Sequence, residues 1–252
     1  MNYRFIEELS LNNWPSLSTL LYDSWVLRFA DGYTKRANSI NPIHPSTQDL
    51  SSKIKECESL YFSNRLPAIY KITPFVHPAN LDDILADQGY SLVDHTSVRT
   101  LNLEHLREPD GNASVQIYER PTAEWLEAFC RINKVPDKYI NVMERMLGNI
   151  RTRTGFISLS CGEQAVACGL GVLERGYIGL YDIVTDASFR NRGFGEQMLL
   201  HLLKWGKDNG AAHSYLAVVL NNAPALRLYS KVGFSEVYTY WYRVKELPGT
   251  LG

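Results

Sequence analysis

The chain has 252 residues, 45% of them hydrophobic and 21% charged, with 26 lysines and arginines against 27 aspartates and glutamates. This is the composition of a globular protein of one large or two ordinary domains, and it excludes the disordered and fibrous classes. A net charge of −1 gives no global attraction for nucleic acid or an anionic membrane, and nothing approaches the run of about 18 apolar residues that spans a bilayer.

The start, MNYRFIEELS, is acidic and polar, unlike a secretory signal, so a cytoplasmic protein is expected. SWVLRFADGYTKRANSI predicts a hairpin turning at Asp31-Gly32, with Trp25, Leu27 and Phe29 on one face. A helix (QDLSSKIKECESLYFSNR), a strand (PAIYKIT), a second helix (LDDILADQGY) and a long strand (SLVDHTSVRTLNL) follow. REPDGNAS, with Pro109, Asp110 and Gly111, marks a turn or linker and divides the chain into portions 1–108 and 113–252.

The second portion opens with the strand SVQIYER and a helix capped by Thr122. GFISLSCG, QAVACGLGVLERG and YIGLYDIVT are three strands joined by short glycine turns. GFGEQMLLHLLKWGKDNG sets Phe194, Met198, Leu199, Leu202, Leu203 and Trp205 on one helical face and stops at Gly210. The buried strand HSYLAVVL, the short helix APALRLYSKVGF and the aromatic strand EVYTYWYRV complete a mixed α/β pattern. Both portions end alike, because Gly89-Tyr90 and Gly233-Phe234 each stand between a helix and a strand. Cys57, Cys130, Cys161 and Cys168 form no C-x-x-C pair, and Cys161 and Cys168 read as buried free thiols. The six histidines show no metal-ligand spacing, so no metal is expected.

Two stretches carry chemistry. RNRGFG, Arg190 to Gly195, lies between a strand and a helix, where unpaired amides and glycines lacking Cβ suit a pyrophosphate; a surface turn is the other reading. It is neither a Walker loop nor a dinucleotide fingerprint, since no Gly-Lys-Ser/Thr follows and Met198 replaces a third glycine. Asn222 precedes Pro224 at a helix start, and Tyr229 lies two helical turns later on roughly the same side. Taken singly, the asparagine reads as a cap and the tyrosine as core.

In this order and spacing the two stretches resemble the GCN5-related N-acetyltransferases. That family's signature is a strand, Q/R-x-x-G-x-G/A entering a helix, a strand, then N-x-x-A-x-x-L-Y with K-x-G-F. The matching residues are Arg190, Asn191, Arg192, Gly193, Phe194 and Gly195, then Asn222, Ala225, Leu228, Tyr229, Lys231, Gly233 and Phe234. The resemblance covers Ser114 to Lys245, with Ala187 where many members have proline. It implies an α/β (α+β) fold of two tandem domains of this type, each a mixed, mostly antiparallel twisted sheet flanked by helices. Residues 1–108 would be a degenerate copy and 113–252 the acetyl-CoA-binding one.

The activity implied is direct transfer of acetyl from acetyl-CoA to a primary amine of a small molecule. Amides from Arg190 to Gly195 would hold the pyrophosphate, and the strand at Ile183, Val184 and Thr185 would pair with the pantetheine arm. Asn222 would bond that arm, and the Tyr229 hydroxyl would lie near the sulfur. A thiol near pKa 8.5 and a tyrosine near 10 make Tyr229 a plausible acid for the departing thiolate. The carboxylate that many relatives carry earlier on the strand falls at Gly179 here. Asp182 alternates out of phase with Ile183 and Thr185, which favours a structural hydrogen bond over a catalytic base.

In the first portion Leu85 stands for Tyr229, Pro78 for Asn222, and NPIHPSTQDL has no glycine, so no acetyl-CoA binding is expected there. Its polar segment offers Tyr33, Arg36 and Asn38 as acceptor contacts or as a hairpin's solvated face. A non-catalytic acyl-CoA-binding sensor is the alternative function; Gly179 favours it and Tyr229 opposes it.

Overall fold

The computed structural model describes residues 3–110 and 114–249. Gly111 of the expected linker, and residue 113, lie outside them. In chain order the elements are α1 (Tyr3–Asn13), β1 (Ser18–Tyr22), β2 (Trp25–Phe29), β3 (Ile40–Asn41), α2 (Leu50–Ser63), β4 (Ala68–Ile72), α3 (Leu81–Asp87) and β5 (Ser91–Asn102). Then come β6 (Ser114–Tyr118), α4 (Ala123–Asn133), α5 (Asp137–Gly148), β7 (Arg153–Cys161), β8 (Gln164–Glu174) and β9 (Tyr177–Thr185). The chain continues with α6 (Phe194–Asp208), β10 (His213–Val219), α7 (Ala223–Val232) and β11 (Ser235–Lys245).

These elements form two compact units, and the division follows strands rather than one cut of the chain. One unit takes residues 3–13, 98–218 and 222–237; the other takes 14–97, 219–221 and the chain from Tyr238 onward. The helix α1 therefore belongs with the later elements, and β5 and β11 give residues to both units.

In the unit built mainly from the later half, neighbouring strands run β5-β10-β9-β8-β7-β6. The β6–β7, β7–β8 and β8–β9 pairs are antiparallel, whereas β9–β10 is parallel, as a crossover through α6 requires. Thr122 caps α4 by accepting from the Trp125 amide at 3.1 Å, as its position predicts. The apolar stripe of α6 buries Met198, Leu199, Leu202 and Leu203 against Ile157, Ile178, Leu180 and Leu216. Glycines in β7 and β8 let that helix lie close: a Cβ at Gly155 would meet Trp205 at 2.8 Å, and one at Gly171 would meet Leu202 at 3.0 Å.

The other unit repeats the scheme with β1-β2-β3-β4-β11, antiparallel except for the β3–β4 pair. Trp25, Leu27, Ile40, Ile54, Tyr61 and Tyr70 fill its core. The expected hairpin at Asp31-Gly32 is different here. Both residues take positive φ, 48° and 78°, but β2 pairs with β3 only after the irregular stretch 30–39. The two-residue hairpin lies earlier, between β1 and β2, where Asp23 and Ser24 have φ of 40° and 69°. Among the cysteines, Cys57 and Cys168 are buried but Cys161 is exposed, because β7 ends in the turn to Gln164. No helix among the described residues is long and apolar enough to cross a membrane.

Candidate functional site

The parallel ladder between β9 and β10 is short. Tyr177, Ile178 and Gly179 pair with His213, Ser214 and Tyr215, and among the described residues the ladder ends there. Beyond this point β9 continues beside β8 as far as Thr185, so Leu180 to Thr185 offer an edge free of β10. The result is a cleft that opens toward the α6 N-terminus.

The loop at that mouth is built by local hydrogen bonds. Asp186 accepts from the Ser188 amide at 2.9 Å and pairs with Arg131 at 3.1 Å, and these bonds hold its carboxyl below the usual carboxylate value. Asn191 and Gly193 both turn through positive φ, 60° and 85°, and Gly193 caps α6 without a side chain. After the amide of Arg190, the next one in this segment with a backbone acceptor is that of Gln197, which donates to the Gly193 carbonyl at 3.0 Å. The amides of Asn191 to Glu196 thus form a cluster of donors at the positive end of a helix dipole. Gly195 lets the helix start approach β9, since a Cβ there would stand 3.0 Å from Thr185 Oγ1. The two arginines serve the loop: Arg190 Nε donates to the Thr185 carbonyl at 3.3 Å, and the Arg192 guanidinium lies 5.3 Å over the Phe189 ring.

A β-bulge reorganises the strand beside the cleft. Leu170 pairs with Tyr181 and Cys168 with Val184, so the single residue Gly169 faces both Asp182 and Ile183. Asp182, at φ 52°, is the bulged residue. In a regular strand Tyr181 and Ile183 would share a face; here they do not. Ile183 Cδ1 lies against Gly169 on the α6 side with Met198, whereas Tyr181 lies with Gly179 and Tyr215. The simple alternation expected for Asp182 therefore does not hold past Tyr181, because the bulge resets it.

Gly179, the position at which the resemblance implies a carboxylate in many members, has no room for a side chain. A Cβ there would be 2.6 Å from Tyr215 Cζ and Oη and 2.9 Å from Tyr181 Cε2. The two tyrosine hydroxyls meet at 2.7 Å, and Asn13 Nδ2 donates to the Tyr215 hydroxyl at 3.1 Å. Burial holds the Tyr215 phenol well above its ordinary pKa, so it stays protonated. Sequence reasoning missed this group, and its one signal was the glycine itself.

On the far side of the cleft, Asn222 Oδ1 accepts from the Ala225 amide at 3.2 Å, so the residue is the α7 cap. Tyr229 is buried in the core and packs edge-on to Phe234, ring centroids 6.0 Å apart. Glu196 joins the two motif helices: its carboxylate takes Lys231 Nζ at 2.5 Å and also the Arg107 guanidinium. Lys231, then Arg107, lower its pKa.

In the other unit, the αL glycine Gly89 ends α3 as Gly233 ends α7, with φ of 83° and 111°. Tyr90 donates to the Leu85 carbonyl at 3.0 Å as Phe234 does to that of Tyr229 at 2.9 Å, which places Leu85 where the tyrosine stands. Of the residues suggested for an acceptor, Asn38 uses all four of its amide hydrogen bonds on Ala30, Gly32 and Thr34. It organises the loop and has no capacity left for a ligand. The Arg36 guanidinium lies 4.7 Å over Trp14, and Tyr33 is half-buried.

A family model described as "Probable histone acetyltransferase Rv0428c C-terminal" matches residues 2–243. The chain is 32% identical over 250 residues to an uncharacterized N-acetyltransferase, YobR, of Bacillus subtilis, covering 96% of this chain and 98% of that one. Its fold is similar to that of a GCN5-related N-acetyltransferase from Kribbella flavida, with a TM-score of 0.70 at 16% identity over 98% of this chain and 95% of that one. It is also similar to a tandem GNAT protein from the clavulanic acid biosynthesis pathway, with a TM-score of 0.62 at 12% identity over 82% and 75% of the two chains. At these identities the two structural likenesses concern the fold.

Proposed function

Because the chain belongs to the GCN5-related N-acetyltransferases and is an N-acetyltransferase, we infer that its later unit binds acetyl-CoA in the β9–β10 cleft and acetylates a primary amine of a small molecule. The observation that carries this reading is the run of amides from Asn191 to Glu196 at the open end of a three-rung ladder. A helix N-terminus presenting several N–H groups suits a pyrophosphate, and a strand edge left open beside it suits an extended amide-bearing arm.

Acetyl-CoA, when bound, supplies an activated acyl group whose thioester carbonyl an amine can attack directly. The chain's residues position, polarise and protonate. The amides from Asn191 to Gly195 hold the pyrophosphate, that of Arg190 being turned to the Ala187 carbonyl, and Ile183, Val184 and Thr185 present backbone to the pantetheine arm. The Asn222 Nδ2 hydrogens remain for that arm once Oδ1 has capped α7. The Tyr229 hydroxyl donates a proton to the departing thiolate, a transfer that a phenol and a thiolate of similar pKa can make. The other unit is a copy of the same fold without the glycine loop or the tyrosine, and it supports the active one without binding acetyl-CoA; Tyr33 and Arg36 are its candidates for acceptor contact.

The test is calorimetric titration with acetyl-CoA, followed by a thiol-release screen over amino acids, polyamines, aminoglycosides and peptide N-termini. Micromolar binding with release on at least one small amine is expected. A Tyr229→Phe variant should bind acetyl-CoA normally and turn over more slowly; unchanged turnover removes Tyr229 from the chemistry. Binding without release on any amine supports the sensor reading that Gly179 raised, and release only on peptide N-termini moves the acceptor from small molecules to proteins.

A further inference from the structure

We propose that the Tyr181 hydroxyl receives the acceptor amine, its oxygen accepting an N–H hydrogen bond from the attacking nitrogen, with Tyr215 and Asn13 as positioning residues. The inference rests on the acetyl-transfer reading above.

Place comes first. The last rung of the β9–β10 ladder is Gly179 with Tyr215, and Tyr181 is the second residue beyond it, at the point where the strands part. The bulge at Asp182 then sends Ile183 and Thr185 to the α6 face, leaving Tyr181 on the opposite one. The two faces of β9 at the cleft apex are thus divided. The loop side approaches Thr185 through Gly195, and the other side holds a buried pair of hydroxyls.

The pair is held from two further segments. Thr152 Oγ1 donates to Asn13 Oδ1 at 3.3 Å, which fixes the amide so that Nδ2 points at Tyr215. Asn13 ends α1, Thr152 precedes β7, and Tyr215 comes from β10. Phenylalanine would fill the same volume without desolvating a hydroxyl, and two buried hydroxyls cost stability unless each is satisfied. The chain also leaves Gly179 bare, which admits the Tyr215 ring. Hydroxyls therefore stand where the strand carries no carboxylate.

The chemistry asked of them is modest. A protonated phenol is a poor base, but its oxygen accepts a hydrogen bond well. As the C–N bond forms and the C–S bond breaks, the nitrogen gains positive charge and its N–H becomes a stronger donor, so the bond to Tyr181 strengthens in the transition state. Tyr181 takes no proton; the nitrogen's proton leaves to water, and the sulfur takes one from Tyr229.

The test uses two conjugates, CoA alkylated on sulfur with an N-propyl acetamide and CoA alkylated with the matching propyl ester. They differ in the N–H at the position of the transferred nitrogen. Calorimetry on the full chain should show the amide bound about tenfold tighter than the ester, the worth of one hydrogen bond. Tyr181→Phe should abolish that preference and leave the affinity for CoA unchanged, and Tyr215→Phe should reduce the preference with CoA binding intact. A preference that survives Tyr181→Phe, or its absence from the wild-type chain, overturns the proposal while acetyl-CoA binding stands. Failure of the wild-type chain to bind CoA overturns the acetyl-transfer reading, and this inference with it.

Discussion

Gly179→Ala is the sharpest perturbation the structure offers, because one methyl group probes the whole hydroxyl cluster. The added Cβ would lie 2.6 Å from Tyr215 Cζ and Oη, against an ordinary contact of about 3.5–4.0 Å. Either the ring or the strand must shift by about 1 Å. Tyr215 is 3% exposed and its hydroxyl is tied to Tyr181 at 2.7 Å and to Asn13 at 3.1 Å, so the ring cannot slide without stretching both bonds. Overpacking costs roughly 1–3 kcal/mol, and each of the two weakened hydrogen bonds about 0.5–1 kcal/mol more, which gives about 2–5 kcal/mol in all. Thermal unfolding by circular dichroism should therefore show a fall of roughly 5–15 °C. Gly176→Ala is the control, since a Cβ there has nothing within 4 Å and only its φ of 77° to resist it, a cost of about 1–2 kcal/mol. Tyr215→Ala removes the nearer obstacle at a cost of its own and leaves Tyr181 Cε2 at 2.9 Å. In that background Gly179→Ala should cost clearly less than in the wild type, a coupling of about 1 kcal/mol or more. Additive losses, or a Gly179→Ala variant within about 0.5 kcal/mol of wild type, would refute the claim that Tyr215 is pinned over the glycine.

Three other outcomes separate local roles. Asn222→Asp keeps the oxygen that caps α7 but loses the amide donor, so it should preserve the melting temperature and weaken acetyl-CoA binding, whereas Asn222→Ala should lose about 1 kcal/mol of stability as well; calorimetry beside melting curves reads both. Gly193→Ala meets no atom within 4 Å but must hold φ at 85°, a strain of about 1–2 kcal/mol that Gly193→Asn should largely escape; acetyl-CoA affinity should fall in the same order. Lys231→Met tests linkage at Glu196, whose pKa is depressed in the folded state by Lys231 first and Arg107 second. A depressed carboxylate contributes stability above its unfolded value, about 4.3, and loses it as pH falls through the folded value. Since Lys231 is largely exposed, the variant should be less stable than wild type by up to about 1 kcal/mol at pH 7, and the gap should close between about pH 5 and pH 3 in urea titrations. A gap that stays constant with pH would mean that packing, not charge, was lost.

Much of the fold was legible because its signals are local. Thr122 announces a helix start and caps as its position predicts. The stripe Met198, Leu199, Leu202 and Leu203 fixes which face of α6 is buried. Where signals were weak, elements went unread. The helix α1 buries only Ile6, Glu7, Leu9 and Asn13, two of them polar, and the exposed edge strand β1 shows no alternation. Its hairpin turns on Asp23 and Ser24 without a glycine to mark it. The helix α5 went unread as well, although Val142, Met143, Met146 and Leu147, all buried, stand at helical spacing.

The site divides in the same way. The loop from Arg190 to Gly195 is legible because it works through backbone, and glycine spacing reports backbone directly. The hydroxyl cluster is not, because it joins residues 13, 152, 181 and 215, which come together only once β9 lies beside β10 and α1 packs on the same unit. The bulge was hidden for a further reason. Gly169 facing Asp182 and Ile183 is a property of two paired strands, and a single strand's alternation gives no warning that its phase will slip. That slip decides which side chains serve which side of the cleft. Without it, Tyr181 and Ile183 would crowd one face, with Ile183 turned away from Met198 and the α6 core. With it, one strand presents an apolar residue to the core and a hydroxyl to the opposite face within three positions. Gly179 follows from the same geometry: a side chain at that position would compete with Tyr215 for the space from which the hydroxyls are aimed.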